Sequence, residues 1–385
     1  MSTKQKEVQV KYNLLNKSNL SVAVATAIFG SSFGVANAAQ FLIGDNSTDA
    51  TISNVILGGS NATTDYIIGG NRTLTFAANS TVHYGSIDAS LGGSGGTVDD
   101  GNYKLGSVVV AGNLTIHGNI GSTNSTGNFT INAGNSLTLA SNALAFNSGN
   151  ITLNDNAVLN TGNSSLGYNR GSTESLTITS NISMKGNSTI NIGGGTTITG
   201  NIIGYESGQG TINVVGNVTS GGSYGERDFT GSYTGSSELQ QINVSKGNTF
   251  TLNHNATATR MDINGTATVA GNITAAVTMG ASGILNLNNE VGDDNAAKVV
   301  GTIKSGGSVG TAQGTLNING TFTTQGAIGQ DGLGLAAINL SNSTWSNGFT
   351  TTFAHDVNAT TITVGTSSMQ TNATLAIVAG GTSAG

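Results

Sequence analysis

The sequence predicts an all-β chain wound as a parallel β-helix, and three observations lead there. A short frame of alternating apolar residues around a central Gly or Asn recurs along the chain. The 385 residues include 58 Gly but no Pro and no Cys, and only 8% are charged. The alternating pattern also continues from residue 39 onward without any Pro-rich linker.

The fullest copy of the frame is Phe129-Thr130-Ile131-Asn132-Ala133-Gly134-Asn135-Ser136-Leu137-Thr138-Leu139. Apolar residues at Phe129, Ile131, Leu137 and Leu139 alternate with polar ones on either side of Gly134, which reads as strand, sharp turn, strand. Ile242, Val244, Phe250 and Leu252 repeat it around Gly247. Looser copies put Asn at the turn, since Gly and Asn accept the left-handed backbone most readily. They are Leu74, Phe76, Asn79, Val82 and Tyr84; Ile182, Met184, Asn187, Ile190 and Ile192; and, in degenerate form, Ile151, Leu153, Asn156 and Leu159. Ile190, Ile192, Gly195 and Ile198 overlap the second of these as if they were the next side of one coil. Two further likenesses, 110–115 with 269–274 and 210–214 with 314–318, point to duplication of a unit.

Composition agrees. A disordered chain of this polarity would carry many charges or prolines, whereas here the polar content is neutral and interleaved with Val, Ile and Leu. Gly, Asn, Ser and Thr are poor in helix interiors, and no helical periodicity appears after the first forty residues. Without Cys there are neither disulfides nor thiolate metal sites, so stability must come from stacking. Antiparallel sandwiches would break into domains of about 100 residues; one unit copied many times needs neighbouring copies to bury its apolar row. In that arrangement Ile, Leu, Val and Phe point inward, and turn Asn side chains stack in hydrogen-bonded ladders.

Taken in order, residues 1–38 read as an export signal. Lys4, Lys6, Lys11 and Lys17 precede a run of small apolar residues from Leu20 to Val35, and Ala36-Asn37-Ala38 places cleavage before Ala39. Residues 39–100 read as an N-terminal cap and first coils, because terminal repeats are atypical, and 101–385 as β-helical repeats with loop insertions. The leader holds a charge of +3, which leaves about −9 on the rest of a chain whose net charge is −6; a nucleic-acid binder would need the opposite sign.

Insertions are where binding surfaces of solenoids tend to lie. Three stand out: 162–175 with Tyr168, Arg170 and Glu174; 221–239 with Tyr224, Glu226, Arg227, Asp228, Phe229 and Tyr233; and 289–298 with Glu290, Asp293 and Asp294. The second is the densest in charge and aromatic rings, and Tyr224, Arg227, Phe229 and Tyr233 form the candidate partner-binding loop. Its alternative is a loop packed down on its own aromatics. Trp345, Phe349 and Phe353 read as packing between coils.

Catalytic groups are scarce. His83, His117, His254 and His355 lie far apart with no metal-ligand spacing, and the glycines at 92–96 before Asp99 and Asp100 lack the tandem copies a calcium-binding β-helix needs. No cofactor or metal is expected. A β-helical polysaccharide hydrolase or lyase would need a carboxylate on the coil face, and Asp262, beside Arg260 and Met261, is the residue that could serve.

The basic leader ending in Ala36-Asn37-Ala38, together with units such as 131–139 and 314–320, resembles passenger regions of bacterial autotransporters, most closely the rickettsial surface cell antigens. That resemblance implies a right-handed β-helical passenger, secreted across the inner membrane and displayed on the outer membrane of a Gram-negative cell as an adhesin for a host receptor or neighbouring cells. A translocator barrel would show ten-residue alternating strands with aromatic girdles; none is read before Gly385, so the expectation is either a fragment or truncated gene product or export by another route. A self-associating surface-layer or biofilm protein is the structural alternative.

Overall fold

The computed structural model describes residues 39–43, 50–52, 64–68, 73–77, 82–83, 86–89, 106–121, 125–140, 143–162, 175–225, 237–288, 297–329, 332–341, 349–365 and 373–377. Every strand pairing among them is parallel. The chain is a parallel β-helix whose coils have three sides. Each side is one short strand that bonds to the same side of the coils before and after it.

The three faces are followed most simply through their inward residues. On the first face Leu137, Leu159, Ile190, Ile212, Ile242, Met261 and Val277 stand in one register file. On the second face a file of fourteen paired positions runs from residue 41 to residue 364, and its buried members include Ile87, Ile120, Phe146, Ile178, Ile198, Leu252 and Leu340. At ~4.8 Å per coil that file is roughly 60 Å long. The third face runs through Val108, Phe129, Ile151, Ile182, Ile202, Tyr224 and Ala256. These side chains form a single continuous core, nearly all of them fully buried. Each aliphatic taken out of water contributes about 1.5–3 kcal/mol.

The strand–turn–strand frame is the corner of the coil. Gly134 and Gly247 take φ of 70° and 79°, and Asn156, at 57°, is the one non-glycine with positive φ among the described residues. In the frame 182–192, however, Gly186 takes the left-handed position (φ 52°) in place of Asn187. Asn187 instead donates its backbone N–H to the Asp155 carboxylate one coil below, at 2.8 Å. Asn79 lies outside the described residues.

A frame marks a corner without saying which corner. Strands Thr126–Ile131 and Ser136–Leu139 join the third face to the first, whereas Leu239–Val244 and Thr249–Leu252 join the first to the second. The reason is a longer repeat. Segments 106–121, 210–225 and 314–329 share the pattern Gly-Ser/Thr-apolar-Asn/Val-apolar, ending in an apolar residue followed by Gly, and start 104 residues apart. Four coils separate Val108 from Ile202 on the third face, and Ile212, the equivalent of Val108, lies one side further, on the first face. The repeat therefore contains four coils plus one side, and each copy is turned by one face. Ile120, Tyr224 and Ile328 accordingly occupy the second, third and first faces in the same manner, each followed by a glycine with φ of 63°, 72° and 71°.

Asparagine ladders are present, but on the strands rather than the turns. Asn160, Asn191, Asn213 and Asn243 point outward on the first face, each donating its side-chain N–H to the side-chain oxygen of the preceding one at 2.8–2.9 Å; the ladder starts on the Thr138 hydroxyl. A second ladder starts on Thr268 and passes through Asn286, Asn317 and Asn339 on the second face. Corner asparagines do something else: Asn113, Asn181, Asn201 and Asn217 each accept a backbone N–H of the next coil at 2.8–2.9 Å. Along the first ladder, coil lengths are 22, 31, 22 and 30 residues, so insertions leave the register intact.

Gly210 and Gly314 show how closely the repeat units match. Both have positive φ, 83° and 82°, and a Cβ there would sit 2.6 Å from that of Met184 and 2.5 Å from that of Met279. A Cβ on Gly134 would meet nothing within 4 Å. Gly134→Ala should therefore cost only the left-handed backbone penalty, about 1–2 kcal/mol, and Gly210→Ala that penalty plus overpacking, roughly 2–4 kcal/mol in total. Urea midpoints of the two variants check the ordering.

Candidate functional site

Where four strands stack on the first face, the outward residues depart from the Thr and Asn pattern. Leu239–Val244, Ala256–Ile263, Ile273–Met279 and Ile303–Ser305 send Ile242, Met261, Val277 and Ile303 into the core. Alternation then turns their neighbours outward. Asn243, Asp262, Thr278 and Lys304 form one outward file, and Gln241, Arg260 and Ala276 the file beside it.

Asp262 occupies the rung above Asn243 and cannot continue the ladder, because an ionised carboxylate has no hydrogen to donate. Gln241 takes over that task. Its side-chain nitrogen donates to Asn243 Oδ1 and to Asp262 Oδ2, both at 2.7 Å. The other carboxylate oxygen accepts from Arg260 Nε at 2.7 Å. Arg260 is 57% exposed and Asp262 only 16%, so the pair contributes little to stability, about 0.2–1 kcal/mol. Its significance is positional: it holds a carboxylate at a fixed place on the surface.

Beside this pair lies an open groove of about 410 Å³. It follows the corner between the first and second faces. Small residues, Gly280, Ala281 and Gly306, leave the space, and Ser245, Asn264, Thr278 and Gln313 line it with polar groups. Among the described residues, Asp262 is the sole carboxylate that lines it. The polar side chains along it supply hydrogen-bond donors and acceptors.

The candidate partner-binding loop divides. Tyr224 is fully buried, and this corrects its placement as a contact residue: it is the third-face side of its coil, bridged to Ile202 and Ala256, with its ring 5.4 Å from that of Phe250. Burial pushes its phenol well above the ordinary value, the Ser220 side chain acting weakly in the opposite direction. Among the described residues the hydroxyl has no partner at hydrogen-bonding geometry, and Ser220 donates to the Ile198 carbonyl. Arg227, Phe229 and Tyr233 lie outside the described residues, as do Ala36, Ala38, Tyr168, Arg170, Glu174, Glu290, Asp293, Asp294 and Trp345. Ala39 begins the strand Ala39–Ile43. Phe349 and Phe353 are buried between coils.

Among the described residues, no group of three His, Asp or Glu side chains lies close enough to hold a metal ion, and no helix is long and apolar enough to cross a membrane. His117 follows strand Leu114–Ile116; partial burial lowers its pKa. Comparison with family models, with characterised proteins and with solved structures gives no match to this chain.

Two outcomes are expected. Tyr224→Phe removes an unpartnered buried hydroxyl and should leave the thermal midpoint unchanged or raise stability by up to about 1 kcal/mol. A loss above 1 kcal/mol would reveal a hydrogen bond there. Because the folded His117 resists protonation, its contribution to stability is complete above pH of about 6.5 and declines on acidification below it. Melting curves against pH should show a shallower acid slope for His117→Gln.

Proposed function

We propose that the chain is a non-enzymatic cell-surface passenger of the autotransporter type that acts as an adhesin toward host cells, with the β-helix as stalk and residues 226–238 as its contact loop. The observation that carries this reading is the length of that loop against its own counterparts. In the 104-residue repeat, four residues connect Gly121 to Thr126 and five connect Gly329 to Leu335, but thirteen connect Gly225 to Leu239. The connection grew while the strand after it kept its place. Leu239–Val244 still pairs in register with Thr211–Val214. The added residues include Arg227, Phe229 and Tyr233, side-chain types that dominate interface energetics. The loop leaves the stack after Tyr224, near the middle of a file about 60 Å long.

A second reading, a self-associating surface-layer or biofilm protein, draws on a different observation. The last described strand of the second face, Ala359–Val364, exposes Ile362 and Val364 at 39% and 44%. Their counterparts one coil below, Ile338 and Leu340, are buried. Neighbouring exposed aliphatic residues on a strand favour cover by a further strand.

Replacing residues 226–238 by the four-residue connection 122–125 distinguishes the readings. The adhesin reading expects cell attachment to be lost at an unchanged thermal midpoint; attachment that survives in the folded variant overturns it. Concentration-dependent clumping that persists in the variant, and disappears in Ile362→Lys/Val364→Lys, favours self-association.

A further inference from the structure

We propose that the groove beside Asp262 is a binding subsite for neutral oligosaccharides, recognised through the hydroxyl groups of a hexose unit. The inference goes beyond the adhesin reading and does not depend on the 226–238 loop. Its first support is the residue itself. Four consecutive rungs below it are Asn160, Asn191, Asn213 and Asn243, joined amide to amide, and an Asn at 262 would extend that ladder by one more bond. The chain places there the one near-isostere that cannot donate, then recruits Gln241 and Arg260 to hold it. Giving up a ladder bond for a surface carboxylate is the pattern of a site kept for binding, where local stability is set aside.

The chemistry of the groove selects the ligand. Each carboxylate oxygen of Asp262 accepts one hydrogen bond within the protein, and a carboxylate offers about four acceptor sites. Two remain, suited to a pair of adjacent hydroxyls. The side-chain amides of Asn264 and Gln313 lie on the same groove, and each supplies both a donor and an acceptor, as hydroxyl groups require. Arg260 and Asp262 cancel one another in charge, and the chain after its leader has a net charge of about −9, so acidic glycans are repelled and neutral ones are not. At about 410 Å³ the space sits at the lower end of small-ligand sites. It has no aromatic platform, so affinity rests on hydrogen bonds and is weak.

The test uses the folded chain and three probes, lactose, maltose and N,N′-diacetylchitobiose, titrated to about 10 mM with binding followed by ligand-observed NMR. At least one is expected to bind. Asp262→Asn should weaken it about tenfold or more while the thermal midpoint holds or rises, because the new amide can donate to Asn243. Gln313→Ala, across the groove and outside the ladder, should also weaken binding without a fall in midpoint. No binding by any probe overturns the proposal. So does equal binding by Asp262→Asn, or a lower midpoint for that variant, which would make Asp262 a structural residue. Since the assay contains no cells, its failure and that of the adhesin reading are separate results.

Discussion

Vertical stacking of like on like is the constraint from which the rest of this structure follows. Every inward side chain rests on an inward side chain about 4.8 Å below it, and the backbone between them bonds in parallel register. Ile190 sits on Leu159 and under Ile212; Phe146 precedes Ile178 in the second-face file. A slip of one residue would turn an entire side inside out, so register is held wherever the interior is apolar. That explains how a chain with 8% charge and no Cys builds a continuous core from Leu74 to Phe353 without a thick hydrophobic centre.

The same constraint decides where the chain can vary. Coil lengths of 22, 31, 22 and 30 residues coexist with one unbroken file. It also permits the 104-residue repeat to come round one face later each time, because three sides built alike can exchange places. Ile120, Tyr224 and Ile328 illustrate the exchange: one local structure, presented in three directions. A feature that appears once, such as the long 226–238 connection or the carboxylate at 262, is therefore conspicuous against copies of itself.

Outward polar groups are handled by the same geometry. Amides stacked at the coil spacing meet at 2.8–2.9 Å, which converts a row of outward-facing side chains into a chain of hydrogen bonds. Each net bond contributes about 0.5–1.5 kcal/mol, small singly and useful over many coils. Where Asp262 interrupts the first ladder, Gln241 and Arg260 absorb the difference, and a polar groove opens beside the interruption.

Fold class was legible in the sequence because the alternation of Phe129, Ile131, Leu137 and Leu139 about Gly134 is a local property of strands and corners. The left-handed corner residue was legible at Gly134, Gly195 and Asn156, where only the backbone matters, and misplaced at Asn187, where the Asp155 carboxylate of another coil decides. Asp262 was visible as a carboxylate on a strand, but its departure from a ladder was not, since Asn243 precedes it by nineteen residues and meets it only through coil-to-coil register. Tyr224 read as a loop aromatic among charged neighbours; its burial comes from a one-residue side of the coil too short to carry any alternation. The sequence by itself determined that strands alternate, that corners turn and that units repeat, all of which are set within a dozen residues. Only the tertiary structure decided which corner each frame became, which copies faced alike and which polar residues touched, because those depend on the accumulated number of sides and on pairing between residues 16–34 apart.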